Sequence, residues 1–199
     1  MEIVKFVRRH AAMGWAAALY VLFLYPLFGR KTGFLFGDYG LQFYPWMKVY
    51  ADGLRAHALP LWTPLIQSGF PLFAEGQTGM LYLPNLVLFS LLPFKAAYNA
   101  MFLLHYFLGG LFSYLFARRR RLSPEASALV SLCFTFGSAY AGSFYNIVTL
   151  RSLVWFPLLL LFVERFIETR RLRPLAGLAF FMGQSWLAGF PQTSLYLFF

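Results

Sequence analysis

Cysteine is almost missing from this chain. Cys133 stands alone inside an apolar run, which excludes a disulfide framework and any cysteine-based metal cluster. Charge is scarce as well: 12% of the 199 residues are charged, with 7 carboxylates against 17 lysines and arginines. Each carboxylate therefore stands out. The chain has no phosphate-binding Gly-rich loop of nucleotide enzymes, no His/Cys metal cluster and no serine nucleophile elbow. A nucleotide-sugar donor on an inner membrane face would find no recognisable site. Internal repeats and low-complexity segments are lacking too.

What remains is grease and aromatics, 60% apolar and 21% aromatic. A soluble domain of this length has too little core to hide so much apolar surface, whereas a bilayer accommodates it. Several apolar runs reach the ~17–25 residues that cross a membrane. The net charge of +10 would suit nucleic acid, but the cations gather at the ends of apolar runs and read as topology signals. No nucleic-acid partner is expected.

Lys5, Arg8 and Arg9 precede an apolar run from Ala11. Phe28 is followed by Gly29-Arg30-Lys31 rather than a small-x-small cleavage site, so 11–28 reads as an uncleaved signal-anchor span. Pro26 near its end is tolerable at the interface. The basic N-terminus belongs in the cytoplasm and the loop 29–96 outside. Within that loop Phe43, Met47, Tyr50 and Leu54 share one helical face, opposite Lys48, Asp52 and Arg55, which predicts an amphipathic helix lying in the interface. Pro60 and Pro64 end it. Residues 80–92 are short for a span, and spanning there would place Arg118–Arg121 outside, so they read as a second interfacial or re-entrant helix. Spans follow at 97–117, 125–145, 150–167 and 175–190, alternately inward and outward. Gly137, Ser138, Gly142 and Ser143 place the third span inside a bundle. The expectation is an all-α polytopic integral membrane helix bundle, one transmembrane domain over 1–199, with a long first external loop carrying juxtamembrane helices. The chain stops in mid-run at Phe199, as a piece of a longer protein would.

The outer carboxylates are Asp38, Asp52 and Glu75. Asp38 lies between Gly37 and Gly40, where the backbone can turn sharply and a ligand can come close. A carboxylate partly desolvated among aromatics can act as a general base; the alternative is an N-cap on the helix that starts near Tyr39. Asp52, four residues after Lys48, reads as a solvated pair. Glu75, beside Gln77 in a Gly-rich loop, is either a ligand for a sugar hydroxyl or metal, or simply exposed. His105 lies inside a span, where an ionisable group is a functional candidate, or a neutral histidine bonded to another helix. Arg151, at the outer end of the fourth span, either grips a lipid phosphate bidentately or snorkels. Trp46, Trp62 and Trp155 suit an interfacial belt, and Trp62 could also stack on a sugar face.

In order along the chain stand Gly37-Asp38-Tyr39-Gly40-Leu41-Gln42-Phe43-Tyr44-Pro45, Leu59-Pro60-Leu61-Trp62-Thr63-Pro64, Gly69-Phe70-Pro71-Leu72 and Leu81-Tyr82-Leu83-Pro84-Asn85. They are followed by His105-Tyr106-Phe107-Leu108-Gly109-Gly110, Trp155-Phe156-Pro157 with Glu164-Arg165, and Gly189-Phe190-Pro191-Gln192. With this order and spacing the chain resembles the YfhO-type bacterial membrane proteins, relatives of the GT-C glycosyltransferases. The resemblance implies a GT-C-like enzyme of the bacterial plasma membrane. It would move a sugar from a polyprenyl-phosphate-linked donor to a cell-envelope acceptor, such as lipoteichoic acid or another envelope glycan, lipid or protein. Asp38 would be the catalytic base. Gln42, Trp62, Glu75, Gln77, His105, Arg151 and Gln192 would contact substrate. No metal site is assigned, because a single aspartate replaces the family's paired acids; if a divalent ion such as magnesium or manganese is used, Asp38 and Glu75 would hold it. Competing functions are a transporter or flippase, or a non-catalytic assembly protein, for lipid-linked envelope precursors.

Overall fold

The computed structural model describes residues 18–22, 38–137 and 146–197. The described residues are helical, with no strand beyond an isolated antiparallel bridge between Thr63 and Phe70. Most of the expected first span 11–28, and residues 138–145 of the third, lie outside the described residues.

A π-helical turn at Tyr39–Phe43 leads into α1 (Tyr44–Arg55), α2 (Leu72–Glu75) and α3 (Leu83–Leu91). Then come α4 (Phe94–Arg119), α5 (Pro124–Phe136), α6 (Ile147–Leu153), α7 (Phe156–Thr169), α8 (Leu172–Leu187) and α9 (Pro191–Tyr196). Among the described residues two helices are long and apolar enough to cross a membrane: α4, and α6 with α7 taken together as Ile147–Thr169. These contain the expected spans 97–117 and 150–167. The second is kinked between α6 and α7, because Pro157 lacks the N–H that would bond the Leu153 carbonyl. α5, at 13 residues, is shorter than the span expected at 125–145, whereas α8, at 16 residues, equals the length of the span expected at 175–190 but starts three residues earlier. Exposed apolar side chains line these helices, among them Phe107, Leu129, Ile167 and Phe180.

Both termini of the bundle are chemically marked. At one end Arg119 pairs with Glu168, and Arg120 lies 2.8 Å from Glu164. These pairs join the C-terminal ends of α4 and α7, so the two long helices run in parallel. Ser123 turns the chain back into α5 by accepting the Ala126 N–H at 3.2 Å, a capping bond that fixes the helix start. Arg118, Arg121, Arg170, Arg171 and Arg173 are exposed at the same end. The opposite end collects the loops: the π turn, residues 56–82, the α6 start and the turn after α8.

Between them lies an aromatic core. Trp155 stacks between Phe112 of α4 and Phe181 of α8, with centroids 5.6 and 5.2 Å away. α4 and α5 approach closely at Gly110, whose carbonyl accepts from Ser131 Oγ at 2.8 Å. The Tyr20 hydroxyl lies so near Gly110 that any Cβ there would meet it at 2.1 Å.

The α1 amphipathicity is present, but its destination differs from the expected bilayer interface. Phe43, Met47 and Tyr50 are buried, packed against α3 and α4; the Tyr50 and Phe89 rings lie 5.8 Å apart. A protein surface with matching apolar faces competes for the same stripe that a membrane would take, and here it wins. Lys48 and Asp52 form the expected exposed pair, joined by Arg55.

Candidate functional site

The loop end is organised on one stretch of α4, Tyr98 to His105. Three separate segments meet it. The π turn arrives through Tyr39, whose ring stands edge-on to Phe102 at 5.0 Å and whose carbonyl accepts from the Tyr98 hydroxyl at 3.1 Å. The α6 helix arrives through Arg151, whose Nη1 lies 3.7 Å from Met101 Sδ. The start of α3 arrives through Tyr82, whose hydroxyl is 2.7 Å from His105 Nε2.

His105 is fully buried. Its Nδ1 sits 2.5 Å from the Met101 carbonyl, which can only accept, so the proton belongs on Nδ1. Nε2 then accepts from Tyr82. Burial raises the Tyr82 hydroxyl well above its ordinary range, against a smaller lowering by the Arg151 charge, and this keeps Tyr82 a donor.

Arg151 is the largest fully buried side chain. Asn146 sets the helix that carries it, its Oδ1 accepting the Val148 and Thr149 amides at 3.1 and 3.3 Å. The guanidinium donates to the Gln77 carbonyl at 2.6 Å and the Thr78 carbonyl at 3.3 Å. Among the described residues no carboxylate pairs with it, and Nε has no hydrogen-bond partner. A buried cation without a counter-charge is costly; here loop carbonyl dipoles face it instead. The lipid-facing or snorkelling arginine expected at the end of the span is thus turned inward onto the loop.

That loop, 75–79, is gripped from every side. Asn85 Nδ2 donates to the Thr78 and Gly79 carbonyls at 3.0 and 3.1 Å. The Tyr50 hydroxyl holds the Met80 carbonyl at 2.9 Å. Gln184 of α8 accepts the Leu83 N–H at 3.0 Å, satisfying a donor that the α3 start leaves without a helical partner. Gly189, at φ +101°, packs so closely that a Cβ would lie 2.6 Å from the Gly76 carbonyl and 2.8 Å from Gln77 Cα. Inside the loop the Glu75 carboxylate accepts the Gln77 N–H at 2.8 Å. Half-burial raises the Glu75 carboxyl above the usual range, partly offset by the Gln77 amide and the Arg151 charge.

Asp38 is exposed at the head of the π turn. It has helical backbone angles and makes no side-chain cap, which corrects the expectation that it caps this helix: a cap needs extended backbone so that the carboxylate can fold back on the following amides. Gln42, in the same turn, is half-buried. Trp62 is 56% exposed and lies over Gly69, where a Cβ would be 2.4 Å from the ring. Gln192 is exposed and bonds Tyr196 of its own helix at 2.6 Å.

The structure therefore brings Glu75, Gln77, His105 and Arg151 to one centre, with Asp38 joined to it through Tyr39. Trp62 packs on Gly69 and Gln192 bonds Tyr196, neither of them a residue of that centre. Tyr82, Asn85 and Thr78 belong to it and escape a reading for charged residues. Their signal is a buried polar pattern, with Asn85 following Leu83-Pro84 in an otherwise apolar helix. Among the described residues no three His, Cys, Asp or Glu side chains gather, so Asp38 and Glu75 have no third such ligand for a divalent ion. No protein-family model, curated protein or solved structure matches the chain.

Proposed function

We propose that this chain is a polytopic, GT-C-like membrane glycosyltransferase acting on a polyprenyl-phosphate-linked sugar at the outer face of a bacterial plasma membrane. The loop end would face outward and the arginine end inward, the sidedness that the positive-inside bias favours. One observation carries the reading: the segment bearing Asp38 meets α4 through Tyr39, and the loop bearing Glu75 is bonded to Arg151, a buried cation that touches the same stretch of α4 and has no paired carboxylate among the described residues. A site that must receive an anionic leaving group needs that charge balance.

In this mechanism Asp38 takes the proton of the acceptor hydroxyl as its oxygen bonds to the anomeric carbon. The bond from that carbon to the phosphate oxygen breaks, and its electron pair leaves with the polyprenyl phosphate. Glu75, held by Gln77, hydrogen-bonds a sugar hydroxyl. Arg151 stabilises the developing phosphate charge through its field, which reaches further in a low-dielectric surrounding than in water. No step here depends on magnesium or manganese.

His105, buried midway along α4, favours a transporter or flippase as the second reading, since such proteins place ionisable groups deep within spans. Envelope glycans from cells carrying the full-length gene, a deletion or Asp38→Asn separate the two. Loss of one glycan substituent in both the deletion and the Asn strain supports the transferase. A glycan lost on deletion but retained with Asp38→Asn refutes it.

A further inference from the structure

Arg151 was expected to bind substrate phosphate, yet both its Nη nitrogens donate to backbone carbonyls. Gln77 is the residue it controls. The Gln77 carbonyl accepts from Arg151 Nη2 at 2.6 Å, and the Gln77 N–H donates to Glu75 Oε2 at 2.8 Å. The Gly189 turn closes the third side, within 2.8 Å of where a Cβ would stand. The Thr78 carbonyl has a second donor in Asn85, whereas the Gln77 carbonyl is held by Arg151. A planar guanidinium presents two separate nitrogens to two successive carbonyls in a fixed fork, which the single nitrogen of an ammonium does not.

We propose that Arg151 is a positioning residue: by fixing Gln77 it sets where the Glu75 carboxylate stands, and it does not itself ligate the donor phosphate. The importance of Glu75 rests on the transferase reading; the mechanical link from Arg151 to the loop does not. The link runs from α6 through one residue of the loop to the carboxylate. The fork ties residue 77 to α6, while the turn after α8 packs on its other side.

The test uses the full-length protein in lipid nanodiscs, as wild type, Arg151→Gln and Arg151→Lys, with amide hydrogen exchange and transfer kinetics on a polyprenyl-phosphate sugar. In the Gln variant, exchange at the amides of Gln77 and Gly79 rises about tenfold, as loss of a hydrogen bond from a charged donor predicts, while α5 and α8 stay protected. In transfer, kcat falls and KM for the donor stays within about twofold. The Lys variant retains protection at Gln77 through one surviving bond. Unchanged loop exchange together with a raised donor KM would overturn the proposal, because it marks a phosphate ligand. If the Gln variant does not assemble, the Lys variant decides: retained protection at Gln77 supports the link, and exchange raised evenly along the chain overturns it. A wild-type protein without transferase activity sinks the enzymatic reading, and the exchange comparison still judges Arg151.

Discussion

Three glycines offer a graded test of how tightly the loop end is built. Gly183 sits inside α8 with nothing within 4 Å of an added Cβ; alanine there should gain about 0.5–1 kcal/mol of helix propensity. Gly76 also has open space, but at φ +83°, so alanine should lose about 1–2 kcal/mol to backbone strain alone. Gly189 combines φ +101° with backbone atoms of Gly76 and Gln77 at 2.6 and 2.8 Å. Those atoms cannot swing aside like a side-chain tip, so about 1–3 kcal/mol of overpacking adds to the same strain. Alanine at 189 should then cost about 2–5 kcal/mol. The assay is reversible unfolding of the full-length protein in mixed detergent micelles, followed by circular dichroism. The order 183, 76, 189 is the prediction. A Gly189→Ala cost within about 0.5 kcal/mol of that for Gly76→Ala would refute the reasoning, since the turn would then not press on the loop.

Tyr82→Phe removes the hydroxyl from His105 Nε2 and should cost about 1–3 kcal/mol. The double variant Tyr82→Phe with His105→Leu should recover part of that, a coupling of about 0.5–3 kcal/mol measurable in a double-mutant cycle; strict additivity would show that the pair is not bonded. Glu75 gives a pH signature. Its carboxyl is raised in the folded loop, so its contribution to loop stability is fully present below the ordinary carboxylate range and lost as pH rises through the raised value. Exchange at Gln77 should therefore speed up as pH rises through that window, after correction for intrinsic chemistry. In Glu75→Gln that pH dependence should vanish, and its persistence would assign the titration elsewhere.

The long helices were legible because apolar length is a local property. The runs around 97–117 and 150–167 needed no partner to be recognised, and the arginines at their ends marked one side of the bundle. The amphipathic stripe of Phe43, Met47 and Tyr50 was equally legible, but a stripe does not say whether lipid or protein covers it. Asp38 misled for a related reason: Gly37-Asp38 has the composition of a cap, yet a helical turn already begins at that residue and leaves the carboxylate no amide to reach. Arg151 was placed correctly at a helix end and given the wrong direction. Its partners, Gln77 and Thr78, are 74 and 73 residues away, and pairings over such distances leave no periodic trace. Tyr82 answers His105, 23 residues on, whereas Asn85 bonds the Thr78 and Gly79 carbonyls only seven and six residues back; an irregular loop between them leaves no periodic trace either.

The hydrogen bond between Leu83 and Gln184 spans 101 residues. Ribosomes add ~5–20 residues per second, so roughly 5–20 seconds pass between synthesis of the α3 start and the arrival of its acceptor. Arg151 comes earlier, and Gly189 comes later still. During that interval the two ends of the molecule age differently. The α4–α5 hairpin, whose contacts are close in sequence, can form as soon as both helices are synthesised, while residues 75–85 wait for partners that come later in the chain. The loop end is thus the last to be completed, and a pause or truncation before residue 184 leaves the α3 start without its Gln184 acceptor.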